Sequence, residues 1–288
     1  MTVSPTTERV PRQSDVDAFG LTDTGKMRPA NADQFLILTL HKMTQVQASS
    51  LPTEIASSQT SDARAFIFLV ADGVGSGSGV KASSAALRHV MAYVTHATQL
   101  CYILDPEQHD QFLEELKKAV ARAHQEVHDS ARAAGASGMA TTLTLVAFIW
   151  PMAYLVHVGD SRCYRLRDGQ LQRITHDQTM AQALVDAGAL TNSKAEQSPL
   201  KHILTSAVGS DELMPEVGSD HCQWDDVLLL CTDGLTKHVK DEEIAEILKS
   251  GKTAEGMSRT LVDLTLERGG TDNVTVVIGK LRSEGDRR

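Results

Sequence analysis

Two apolar runs in this chain lead straight into Asp-Gly. Residues 66–70 read FIFLV and continue into Ala71-Asp72-Gly73; residues 227–231 read VLLLC and continue into Thr232-Asp233-Gly234. A third segment inverts the order: Gly269-Gly270-Thr271-Asp272-Asn273 precedes the run VTVVI at 274–278. Short, uninterrupted apolar runs of this kind read as buried strands. If the third strand runs antiparallel to the other two, all three carboxylates end at the same edge of the structure. Such a cluster repels itself unless cations fill it, and an all-oxygen donor set suits Mg²⁺ or Mn²⁺. Taken singly, each aspartate is ordinary turn chemistry. Three at the ends of buried strands, with glycine permitting close backbone approach, point to a metal site.

Gly159-Asp160-Ser161-Arg162 lies between two further strand patterns and supplies a fourth carboxylate. It resembles the G-x-S-x-G nucleophile elbow, but Cys163 stands where the last glycine belongs, and the segment leads into a strand. Ser161 is therefore not read as a hydrolase nucleophile. The glycine series at 73, 75, 77 and 79 fails G-x-G-x-x-G because Ser78 occupies the third glycine position, and Gly251-Lys252-Thr253 lacks both the first glycine and the strand of a P-loop. Arg28, close to Asn31 and Asp33, is a solvated charge on its own. Beside a dication cluster it becomes a planar fork for a phosphate dianion. The histidines form no H-E-x-x-H and are assigned no ligand role.

The chain has 288 residues, 41% of them hydrophobic, which suffices for a sizeable core and excludes a disordered chain. Its net charge of -9 argues against nucleic-acid or anionic-membrane binding. Residues 138–159 carry no charge but are rich in threonine, β-branched and aromatic residues. They read as two strands turning at Trp150-Pro151, not as a membrane span. The four cysteines show no C-x-x-C spacing, and the N-terminus shows no apolar signal core. A reduced, cytoplasmic protein without membrane insertion is expected.

Further strands are expected at 19–23, 34–40, 163–166 and 171–175. Helices are expected at 80–99, 108–134, 179–187, 241–249 and 254–268. Residues 1–15 read as a flexible tail and 16–288 as a single domain, with 44–62, mostly Ser, Thr and Gln, as a mobile loop. Two long consecutive helices among clustered strands favour α+β over alternating βαβ.

In order and spacing, eight segments resemble the metal-dependent protein phosphatases, the type 2C or PPM serine/threonine phosphatases, in their bacterial form. They are Arg28-Pro-Ala-Asn31-Ala32-Asp33; Ala71-Asp72-Gly73-Val74-Gly75; Gly138-Met-Ala-Thr141-Thr142; Val158-Gly159-Asp160-Ser161-Arg162; Thr175-His-Asp177-Gln178; Leu204-Thr205-Ser-Ala207-Val-Gly209; Leu230-Cys-Thr232-Asp233-Gly234-Leu235; and Gly270-Thr-Asp272-Asn273. The resemblance runs from about residue 17 to about residue 280.

It implies a four-layer α-β-β-α sandwich of two antiparallel sheets flanked by helices. It implies a centre of two Mn²⁺ or Mg²⁺ ions. Asp72 would bridge them, with the Gly73 carbonyl, Asp233 and Asp272 as further ligands. Asp33 would act through water, Asp160 would hold a weaker third ion, and Arg28 would bind the substrate phosphate. Arg28, Asp72 and Asp233 are thus the expected catalytic residues, and 178–206 the flap beside the site. The implied activity is hydrolysis of phosphoserine and phosphothreonine in proteins by a water activated between the two cations, without a covalent phosphoenzyme. The protein would be a monomer in signal transduction, opposing a serine/threonine kinase. The competing reading is a catalytically silent phosphatase-fold module that binds a signalling partner; loss of Asp72, Asp233 or Asp272 would favour it, and all three are present. Two departures stand out: Ala32 where relatives carry Glu, and Val74 where some carry a histidine proposed as general acid.

Overall fold

The computed structural model describes residues 9–44, 60–74, 78–101, 109–133, 135 and 138–283. Its strands are β1 (Val16–Asp23), β2 (Asp33–Thr44), β3 (Thr60–Val74), β4 (Ala140–Thr141), β5 (Leu143–Ile149), β6 (Met152–Val158), β7 (Arg162–Arg167), β8 (Gln170–Arg173), β9 (Glu216–His221), β10 (Val227–Cys231) and β11 (Val274–Leu281). Its helices are α1 (Ser78–Cys101), α2 (His109–Ala133), α3 (Met180–Asp186), α4 (Asn192–Gln197), α5 (Asp233–Thr236), α6 (Asp241–Lys249) and α7 (Ala254–Glu267).

Among the described residues one sheet has the order β1-β11-β10-β7-β8 and the other β2-β3-β5-β6-β9, with β4 paired to β3. Neighbouring strands pair antiparallel throughout. Strand side chains alternate between faces, and the core divides accordingly. Phe66, Phe68 and Val70 of β3 meet Leu228 and Leu230 of β10 and Val277 of β11 between the sheets. Ile67, Leu69 and Ala71 face α1 and α2, against Ala82, Ala86, Leu116 and Val120. Leu229, Val274 and Val276 face α6 and α7, against Ile244, Met257 and Leu261. Helices, sheet, sheet and helices therefore stack in four layers, as expected. The apolar stripe Phe112, Leu116, Ala119, Ala123 and Val127 of α2 is buried along its whole length.

Three expectations change. The polar stretch at 44–62 is extended at both ends: β2 reaches Thr44, β3 begins at Thr60, and these two residues pair. Ladder hydrogen bonds use the backbone, so a hairpin can continue without apolar side chains. The rest of that predicted loop, 45–59, lies outside the described residues, as do residues 1–8 of the predicted tail and 75–77 of the Gly/Ser segment. From Arg9 onward the tail is tied down: Gln13–Asp15 form a 3-10 turn, and buried Asp15 accepts from the Arg12 N–H at 2.7 Å and pairs with Arg9. Finally, β9 was not predicted. Its sequence, EVGSDH, has no apolar alternation because it is a largely exposed edge strand.

The charge-free stretch 138–159 forms β4, β5 and β6. No described helix is long and apolar enough to cross a membrane.

Candidate functional site

Strand parity aims the acidic residues. Asp72 continues the alternation of Phe66, Phe68 and Val70 and therefore faces the space between the sheets. Asp33 opens β2 directly opposite Asp72 in the register of β2 and β3. Like charges in such cross-strand positions repel. From the other sheet, β10 ends two residues before Asp233, which starts α5, and β11 begins two residues after Asp272. Because β10 and β11 are antiparallel, the end of one lies beside the start of the other. Gly234 makes this approach possible: a Cβ there would stand 1.9 Å from the Asn273 carbonyl oxygen. Gly73 is equally constrained, since its Cβ would stand 2.2 Å from the Gly79 carbonyl oxygen at the start of α1.

The outcome is one cleft lined by Arg28, Asp72, Gly73, Asp160, Asp233 and Asp272, with Lys237, Lys201 and His202 beside them. Asp33 lies behind it, 1% exposed. Its Oδ2 accepts from the hydroxyls of Thr232 at 2.8 Å and Thr275 at 2.9 Å, whereas its Oδ1 is buried with no hydrogen-bond partner. Burial pushes the Asp33 carboxyl up to about 7 although both hydroxyls favour its charged form. Burial, reinforced by Asp33 and Asp233, holds the Asp72 carboxyl well above its ordinary range, and burial followed by Asp233 does the same to Asp160. The backbone of Asp72 is fixed firmly: its N–H donates to Thr142 Oγ1 at 2.9 Å, and its carbonyl accepts from Thr141 Oγ1 at 2.9 Å and the Thr142 N–H at 2.8 Å. Thr142 Oγ1 lies 2.8 Å from Ser161 Oγ, so Ser161 is a buried strut of this wall.

Two cations sit against the carboxylates. Arg28, with a side chain 54% exposed, donates from Nε and Nη2 to the two oxygens of Asp272 at 2.6 and 2.8 Å. Lys237 Nζ lies 2.6 Å from Asp233 Oδ2 and 2.7 Å from Asp272 Oδ2. Burial opposes charge on Asp272, but Arg28 and Lys237 outweigh it and hold that carboxyl below its usual range. As placed, no three acidic, histidine or cysteine side chains among the described residues converge on one ion position. Lys237 draws Asp233 and Asp272 to itself. The donor set nevertheless fits hard dications: it is all oxygen, and Asp33 Oδ1 and Asp233 Oδ1 are both buried without partners.

Sequence reasoning missed Lys237, Thr232, Thr275 and the pinning role of Asn273. Asn273 Nδ2 donates to the carbonyls of Thr24 and Ala30, and its Oδ1 accepts from the Ala32 N–H, fixing the loop that carries Arg28. The four-residue spacing of Asp233 and Lys237 on a helical turn was the legible signal for Lys237. Segment 178–206 contains α3, α4 and a 3-10 turn at Pro199–His202, and Lys201 through Ser206 line the cleft.

The Protein phosphatase 2C family pattern matches residues 51–265. The serine/threonine protein phosphatase PstP of Mycobacterium tuberculosis is 44% identical over 141 residues, 49% of this chain and 27% of PstP. The chain thus spans little more than a quarter of that relative's length. The serine/threonine phosphatase stp of Listeria monocytogenes is 31% identical over 215 residues, 74% of this chain and 83% of the relative. Among solved structures, that of the mycobacterial phosphatase PstP/Ppp superposes with a TM-score of 0.73 at 32% identity, covering 93% of this chain and 99% of the other. The PstP catalytic domain in complex with 2 manganese ions matches with a TM-score of 0.70 at 30% identity, covering 93% of this chain and 99% of the other.

Proposed function

The chain belongs to the protein phosphatase 2C family, and we propose that it hydrolyses phosphoserine and phosphothreonine in proteins. The observation that carries this reading is the single cleft in which Asp72, Asp160, Asp233 and Asp272, contributed by both sheets, meet the guanidinium of Arg28. In this reading Asp72, the Gly73 carbonyl, Asp233 and Asp272 would hold two divalent cations, Asp33 would support them through water, and Asp160 would hold a weaker third. Bound there, the cations would supply an activated water and neutralise charge on the phosphoryl oxygens.

The protein's own groups have distinct tasks. Arg28, exposed and already paired in fork geometry, exchanges Asp272 for the phosphate dianion and keeps its charge as the phosphoryl group moves. Thr141 and Thr142 hold the Asp72 backbone still, and the hydroxyls of Thr232 and Thr275 orient Asp33. Direct hydrolysis is favoured because neither Ser161 nor the described buried cysteines are credible covalent nucleophiles. Ser161 is buried and bonded to Thr142. Burial pushes the Cys231 thiol up to about 12 and raises those of Cys163 and Cys222 as well, so none forms a reactive thiolate. Val74 lines the cleft without an ionisable group, so position 74 supplies no proton to the departing serine or threonine oxygen. Substrates of this kind acquire their phosphate from a serine/threonine kinase, which places the protein in opposition to one.

The test is turnover of p-nitrophenyl phosphate and a phosphothreonine peptide by the metal-stripped protein. Activity is expected to vanish with EDTA and return with Mn²⁺ or Mg²⁺, whereas full activity in the stripped sample would overturn the reading.

A further inference from the structure

Lys237 is the cation that no motif predicted. Its backbone N–H closes the short α5 by donating to the Asp233 carbonyl at 2.9 Å, so its side chain rises from the same turn that begins with Asp233. The contact of Gly234 with the Asn273 carbonyl holds the Asp272 segment against that turn. The ammonium therefore reaches both carboxylates at once, 2.6 Å from Asp233 Oδ2 and 2.7 Å from Asp272 Oδ2, with a side chain 23% exposed. Arg28 grips only Asp272 and does so from the exposed rim.

We infer that Lys237 is a built-in competitor for the divalent cations, occupying the Asp233 and Asp272 oxygens that those ions need and so setting the concentration at which the centre loads. This rests on the reading of the cleft as a metal centre. The physical case is exclusion. An ammonium hydrogen-bonded at 2.6–2.7 Å to both Oδ2 atoms occupies oxygens that a dication would use, and with Arg28 on both oxygens of Asp272 it leaves Asp233 Oδ1 as the one oxygen of the pair without a partner. Repulsion between the ammonium and a dication in a partly buried cleft disfavours both at once. Loading must then break two charge-assisted hydrogen bonds and swing the ammonium into the cleft. The same contacts neutralise part of the acidic cluster.

Two measurements on the full chain test the proposal. In the first, Mn²⁺ binding is followed by calorimetry in the unmodified protein, Lys237→Met and Asp72→Asn. Lys237→Met is expected to bind at least one Mn²⁺ at least about tenfold more tightly, with Lys237→Gln behaving alike. Unchanged affinity in both variants overturns the proposal. In the second, amine-reactive labelling of Lys237 is quantified by mass spectrometry with and without saturating Mg²⁺. Freed from its two carboxylates, Lys237 should label at least about threefold faster once ions bind, while Lys194 on α4 does not change. Labelling that is unchanged or slower at saturation overturns the proposal. This arm uses the unmodified chain, so it decides even if the substitutions impair folding. The reading of the cleft fails separately, and takes the proposal with it, if Mn²⁺ binding by the unmodified protein is indifferent to Asp72→Asn.

Discussion

Aspartates behave in opposite ways in two regions of this molecule. Along the β7 and β8 side, Asp177 and Asp226 are matched by arginines. Arg162 donates from Nε and Nη2 to Asp177, the latter at 2.6 Å, and Arg167 grips Asp226 through Nε and Nη2 at 2.7 and 2.6 Å. Asp226 also accepts from the Gln223 N–H at 2.8 Å. In the cleft, Asp33 faces Asp72 across a strand pair, Asp160 adds its charge, and Arg28 and Lys237 attend only to Asp233 and Asp272. The first region satisfies its charges to hold the fold. The second leaves charge unsatisfied, which costs stability and creates affinity for external cations.

If that contrast is right, conservative Asp→Asn changes should separate function from stability. The largest effect is expected in the cleft. Asp72→Asn and Asp233→Asn should each lower kcat at least about a hundredfold, ~2.7 kcal/mol of barrier, with circular dichroism unchanged and, for Asp72→Asn, a thermal midpoint at or above the parent's. Removing a repelling charge does not weaken the fold. Near-normal turnover in either variant would make these strand-end carboxylates structural.

A smaller effect of the opposite kind is expected on the paired side. Asp226→Asn leaves Arg167, only 20% exposed, without its counter-charge. Chemical denaturation should report a loss of ~2 kcal/mol, with kcat of the folded enzyme unchanged. A kcat loss without destabilisation would erase the distinction between the regions. The mildest change is Arg28→Ala. Arg28 is exposed and stands at the boundary of both behaviours, so its loss should leave stability alone and reduce kcat/KM at least about tenfold, ~1.4 kcal/mol, partly through KM. An unchanged kcat/KM would remove Arg28 from phosphate binding.

Much of the architecture was readable because its signals are local. The apolar runs at 66–70 and 227–231 became β3 and β10 with Asp72 and Asp233 at their ends, and the helical stripe from Phe112 to Val127 became the buried face of α2. Elements whose residues carry no apolar pattern escaped, as β9 did, because an exposed edge strand is specified by its neighbour β6. The extension of β2 and β3 to Thr44 and Thr60 escaped for a related reason: backbone pairing leaves little mark on side-chain composition.

The amino-acid order alone determined that apolar strands abut aspartates, and that their ends would meet only if the third strand ran antiparallel to the other two. Alternation of side chains and the length of apolar runs are properties of a few consecutive residues. Only the tertiary structure decided which partners each carboxylate meets. Asp33 is held by Thr232 and Thr275, 199 and 242 residues away. Lys237 reaches across to Asp272 from another element, and Arg28 does so over 244 residues. Contacts of that separation depend on how two sheets stack and on glycines that admit backbone at close range, and charge compensation falls steeply over a few ångströms.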